Sequence, residues 1–414
     1  MFSSGSGGAN RPWAPKTVRD FESITLRLDS YDFTERFGAS AEALLDECYY
    51  SLYSRISKVA RQIFAGNGNL TAKQSPWVHQ YPNEFYEHVK AIARSDPNTK
   101  HWEGLLRNGE ERIVLITGII MRVLDSQVFS SLLFGANDMH KRVLGCYDID
   151  LLDCDGFERS QLLARLNEAY LREASEAGGI PPLLSTEMLR VVSQLGGLLL
   201  PLYNVVGAES PNVMPSLEEL CQGLGYIVSY AAWLAVMNRL VPGVTTLTWI
   251  APGDDYELEQ FNFMHSVFDD SKAKSKKYDK RYFGGTPPRR TARTKISVFP
   301  GIRYYPPPSS GTGGPGWYRG FKVRRPHAAY YFGLSDSRED AKTLLPLPDY
   351  IRRVRKPRGI PHGALVLLSA IIIVLCFRYM FVYLFGYANY VMLLKKSIGL
   401  VLGGAHVDFG SSDT

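Results

Sequence analysis

A chain of 414 residues with 45% hydrophobic and 12% aromatic content can bury a sizeable core in one or two domains, which excludes a wholly disordered protein. Five cysteines without CxxC spacing exclude a disulfide framework or a zinc module and agree with a reducing compartment. The net charge of +6 conceals a division: residues 1–270 carry 22 Lys and Arg against 34 Asp and Glu, whereas residues 271–362 carry 22 against 5.

Residues 1–20 are rich in Gly, Ser and Pro and read as a disordered N-terminus; no basic start leads into an apolar run, so no secretory signal is expected. An acidic helical domain follows over 21–270. Leu44, Leu45, Cys48, Tyr49, Leu52, Ile56, Val59, Ala60, Ile63 and Phe64 recur at three- and four-residue steps, with Ser40 placed to cap that helix and Gly66 to end it. The same periodicity predicts helices over Phe85–Ala93, Ile113–Leu133 and Phe157–Ala174. Ser216 and Glu219 form a capping box before the helix Leu220–Leu240, and Pro242-Gly243 stops it. Leu195–Val206 and Gly223–Val241 are apolar enough to raise further membrane spans, but their length, Pro201, Asn238 and Arg239 point to core helices.

Residues 271–362 combine charge with Pro, Gly and aromatic residues and read as a disordered basic linker. Lys272, Lys274, Lys276, Lys277, Lys280 and Arg281 form one cluster, and Arg289, Arg290, Arg293 and Lys295 a second. Strand-like alternation is confined to short pieces such as Ile296–Phe299. Arg352, Arg353, Arg355, Lys356 and Arg358 form a third cluster just before an apolar run. From Ala364 to Leu394 the only charge is Arg378. A helix over 363–385 reaches about 34 Å, enough for one bilayer crossing, whereas a hairpin split at Arg378 leaves an arm of about 21 Å. Basic residues crowd the N-terminal side of the span and only Lys395 and Lys396 follow it closely, so the large domain is expected in the cytosol and the tail 395–414 on the far side, a tail-anchored-like topology.

The expected fold class is therefore all-α: a multi-helix domain, a disordered basic linker and one C-terminal transmembrane helix. No GxxxxGK[ST], GxSxG, HExxH or GxGxxG motif occurs, and no cofactor is expected. Asp148, Asp150, Asp153, Asp155 and Gly156 resemble a calcium loop, but Leu151 and Leu162 fall where strong ligands belong, so a solvated loop is expected there. Asp254, Asp255, Glu257 and Glu259 follow Pro252-Gly253 and read as carboxylates at a helix N-terminus. The stretch 111–136, ERIVLITGIIMRVLDSQVFSSLLFGA, with GFERSQLLARLNEA after it, resembles uncharacterised helical proteins of filamentous fungi; that resemblance implies no activity.

These features together predict a single-pass membrane-anchored interaction or scaffold protein with membrane lipids and a protein partner of the helical domain. The candidate contacts to anionic lipid are the lysines of 272–280 with Arg281, Arg289, Arg290 and the cluster 352–358. The alternatives are a membrane-anchored all-α enzyme using a metal at Asp254, Asp255, Glu257 and Glu259, and nucleic-acid binding through the basic arm.

Overall fold

The computed structural model describes residues 13–22, 24–26, 28, 30–33, 41–153, 156–174, 179–257, 261–282, 288–306, 320–356, 370–380 and 392–394. Contacts divide the chain into two units, residues 1–355 and 356–414.

The first unit is mostly helical. It runs through α1 (Ala41–Phe64), α2 (Asn83–Ile92), α3 (Glu103–Arg107), α4 (Gly109–Leu124), α5 (Asp138–Asp150), α6 (Gly156–Ala174), α7 (Leu184–Glu209) and α8 (Leu217–Leu240). The fold continues with β1 (Val244–Thr248), β2 (Asn262–Met264), α9 (His265–Tyr282), β3 (Arg290–Phe299), β4 (Gly301–Tyr305), β5 (Phe321–Arg324), β6 (His327–Leu334), α10 (Ser337–Thr343) and α11 (Leu347–Arg355). Among the described residues the strands form two three-stranded sheets, in the orders β1-β4-β5 and β2-β6-β3, with only the β2–β6 pair parallel.

Two expectations are corrected here. The stretch expected to be a disordered linker carries α9, β3 to β6, α10 and α11 among its described residues, and Ile296, Val298, Phe299 and Ala329 belong to the same core as the helices. The N-terminal stretch expected to be disordered through residue 20 is seated from Trp13 onward. Asn204 on α7 accepts from the Lys16 amide at 2.7 Å and donates to the Lys16 carbonyl at 2.8 Å. Trp13 packs on Tyr203 and over Gly207, Phe21 over Gly196 and Ile24 over Gly225, so glycines on α7 and α8 make room for a strap. Gln222 donates to the Thr25 carbonyl and the Trp233 indole to the Asp32 carbonyl. Trp13, Phe21 and Ile24 supply apolar contact while these side-chain bonds satisfy backbone groups that no strand or helix pairs.

α4 is buried around almost its whole circumference and packs against α1, on which α7 and α8 also pack, together with each other. α7 and α8 are long and apolar enough to cross a membrane, yet 67% and 83% of their most apolar windows are buried inside the fold. Ser216 caps α8 as its sequence predicts: its hydroxyl accepts from the Glu219 amide at 3.1 Å, and the Glu219 carboxylate accepts from the Ser216 amide at 2.8 Å. Gly118 lets β3 lie against α4, because a Cβ there would stand 2.8 Å from the Ser297 carbonyl oxygen. Arg112 is fully buried and donates five hydrogen bonds to the carbonyls of Phe64, Ala65, Gly68, Leu106 and Arg107. It thereby satisfies the C-terminal carbonyls of α1 and α3, which their own helices leave open. Burial pushes its pKa down to about 10.

A third correction concerns the acidic turn. No helix begins at Asp254: its carboxylate accepts from the Ala251 amide at 3.1 Å, and Asp255 forms a bridge and an ion pair with Arg293. Glu259 and Asp155 lie outside the described residues. Asp148 and Asp150 belong to the end of α5 rather than to a loop.

In the second unit, the described helix Ala370–Met380 is apolar. Its large apolar side chains stand open on every face, from 50% exposed at Ile371 and Met380 to 76% at Tyr379.

Candidate functional site

The basic residues singled out by the sequence lie mainly on α9 and α11. α9 turns Ser271, Ser275 and Asp279 inward at four-residue spacing, and these are buried. The Ser271 hydroxyl accepts from the Phe332 amide at 3.1 Å and from the Asn98 side chain at 3.2 Å. Asp279 takes a bidentate pair from Arg290, at 3.0 and 2.8 Å. With the inner face fixed, Lys276, Lys277 and Lys280 are presented outward, and among the described residues they have no ion-pair partner. Lys274 is held by Asp270 at 2.5 Å, and the Lys272 ammonium lies 5.7 Å from the Phe268 ring and 5.9 Å from the Phe332 ring.

α11 packs its Ile351 and Val354 against the core, while Tyr350 donates to the Glu103 carboxylate. Arg352 and Arg353 are exposed, and Arg352 has a loose pair with Asp349 at 3.5 Å. Arg355 is bound to the body: it donates to the His79 carbonyl at 2.9 Å and to the Tyr86 hydroxyl at 2.7 Å. Arg289 and Lys356 are exposed; Arg358 and the Arg281 side chain lie outside the described residues.

The geometry thus sorts the sequence's candidates. Lys276, Lys277, Lys280, Arg289, Arg353 and Lys356 are free to meet an external anion and Arg352 is only loosely held by Asp349, whereas Arg290 and Arg355 are engaged in holding the fold. Arg293 and Lys295, taken with them as part of the second cluster, are both buried. Arg293 donates to the carbonyls of Gly253, Leu334 and Ser335.

The loop between α2 and α3 links the two basic helices. Asn98 reaches α9, and the Trp102 indole donates to the Leu345 carbonyl ahead of α11. Lys100 and His101 both have φ of 62°, a left-handed backbone that side chains other than glycine resist. What holds them there is an ion cluster beneath the loop. The Lys295 ammonium lies 2.8 Å from Glu111, 3.3 Å from Asp96 and 3.0 Å from the Thr99 hydroxyl. Burial pushes this ammonium's pKa down, but Glu111 and Asp96 together outweigh it and the net shift is upward. Asp96 also accepts from the Asn98 amide and the Thr99 hydroxyl, so its carboxylate organises the whole turn.

No family model, curated protein or solved structure matches the chain. Sequence reasoning missed Lys100, an exposed cation on this loop, because a single lysine between Thr99 and His101 carries no pattern. Among the described residues, no three His, Cys, Asp or Glu side chains gather as metal ligands.

Proposed function

We propose that the chain is a membrane-anchored interaction or scaffold protein: residues 363–385 cross the bilayer once, and the basic side chains of the folded body meet acidic headgroups on the cytosolic leaflet. The observation that carries this reading is the helix Ala370–Met380, whose apolar side chains are at least half exposed on every face. A helix that is apolar all round apart from one charge, here Arg378, belongs either in a protein core or in lipid. Burying a large apolar side chain contributes about 1.5–3 kcal/mol, so transfer of this helix from water to lipid stabilises it by on the order of 10 kcal/mol. The basic cluster 352–358 ahead of it supports an N-terminal side in the cytosol.

Each Lys or Arg close to an acidic membrane contributes about 1 kcal/mol, and that attraction falls off within a Debye length. Lys276, Lys277, Lys280, Arg352 and Arg353 are exposed, which suits this role. The test is lysine acylation of the full chain in nanodiscs of phosphatidylcholine, alone or with phosphatidylserine. Acylation of Lys276, Lys277 and Lys280 should fall in the acidic discs and recover in high salt. Equal labelling in both lipids would remove the headgroup contact and leave the anchor alone.

A further inference from the structure

A cavity of about 360 Å³ lies between α6, the end of α8 and β1, partly open to solvent. Phe129, Leu163, Val241 and Leu247 give it apolar walls. At about 30 Å³ per water it has room for roughly a dozen waters, or a ligand of on the order of ten heavy atoms.

Its polar groups are unevenly partnered. Asp148 is engaged by Arg159, whose Nη2 and Nε stand 2.5 and 2.8 Å from the same carboxylate oxygen. Arg239 donates through Nε to the Ser131 carbonyl at 2.8 Å and through Nη2 to the Phe129 carbonyl at 3.0 Å. Among the described residues no carboxylate lies within ion-pair distance of Arg239, and burial pushes its pKa down, with the Tyr49 hydroxyl and Asp148 partly offsetting that. The Asn238 side chain donates to the Tyr49 hydroxyl at 2.7 Å, and its Oδ1 is buried with no hydrogen-bond partner.

The charged side chains on the wall are Arg159, Arg239 and Asp148, an excess of one positive charge. We propose that this cavity binds a small monocarboxylate with an apolar body, its carboxylate accepting from Arg239. One negative charge balances the wall, whereas a dianion leaves a buried charge unpaired. The apolar body then lies against Phe129, Leu163 and Leu247. None of its lining residues belongs to the anchor or to the basic face, and the proposal stands or falls independently of the membrane reading.

The experiment is ligand-observed NMR on the full chain in detergent micelles, with phenylacetate as the probe, phenylacetamide as its neutral counterpart and empty micelles as the blank. Phenylacetate should bind at least about tenfold more tightly than phenylacetamide. Leu163→Trp fills the cavity and leaves Tyr49, Asn238 and Arg239 in place; it should weaken phenylacetate binding by about tenfold. Thr245→Phe fills the same space from β1 and serves if Leu163→Trp lowers the melting temperature. Equal binding of the two probes, binding that survives both filled variants, or phenylacetate binding weaker than about 10 mM each overturns the proposal.

Discussion

Replacing Lys295 with Met tests the ion cluster beneath the 95–103 loop. The side chain is fully buried, and its ammonium is 2.8 Å from Glu111 and 3.3 Å from Asp96, both at most 1% exposed. The substitution keeps most of the volume and removes the only cation in the cluster among the described residues. Asp96 retains the Asn98 amide at 2.9 Å and the Thr99 hydroxyl at 3.0 Å, but Glu111 Oε2 has no hydrogen-bond donor to replace the lysine. Leaving a buried ion without its partner costs about 3–5 kcal/mol, a large part of a typical total of about 5–15 kcal/mol. Urea unfolding of the full chain in micelles reads this through Trp77 and Trp102, whose hydrogen bond lies beside the cluster. A deficit under about 1 kcal/mol would refute the reasoning.

His327 is buried beside Tyr53, and burial, aided by Arg324, pushes its imidazole pKa down to about 4. The unfolded chain therefore binds the extra proton first, and stability should fall by about 3 kcal/mol in total as pH drops from about 6.5 to 4; His327→Phe should flatten that part of the urea-stability profile. A Cβ at Gly207 would stand 2.2 Å from the Trp13 ring, so Gly207→Ala should lift the strap. Trypsin should then cut at Lys16 or Arg19 about tenfold faster, and an unchanged rate would mean that the strap does not depend on that approach. Arg112→Leu strands five carbonyls and should cost more than about 4 kcal/mol, the mark of a lost buried network rather than a surface change; a melting temperature within a degree or two of wild type would count against it.

Where structure follows from neighbours in sequence, it was legible. The capping box of Ser216 and Glu219 lies within four residues and marked α8; the apolar stripe of α1 and the stop near Gly66, which has φ of 53°, were equally local. Only the end of β3, Ile296–Phe299, showed as strand; its first part was hidden because Arg293, Thr294 and Lys295 are all buried there, residues that read as linker. They are tolerated because their partners come from far along the chain: Lys295 pairs with Asp96, 199 residues away. α9 failed for the same reason, since its inner face is Ser271, Ser275 and Asp279 rather than an apolar stripe, and its lysines therefore looked like part of a disordered arm. The exposed basic residues could be named from sequence, but their division into free and engaged could not, because Arg290 is taken by Asp279 and Arg355 by His79 and Tyr86 only in the folded chain. The cavity draws Tyr49, Phe129, Arg159 and Arg239 from four separate stretches, so no local pattern marks it.

Membrane topology is tested most directly by tagging both termini, permeabilising only the plasma membrane of intact cells, and adding protease. A single span at 363–385 with the folded body in the cytosol predicts that the N-terminal tag is digested while the C-terminal tag survives on one organelle. Digestion of both tags, or recovery of the chain in the soluble fraction, would contradict it.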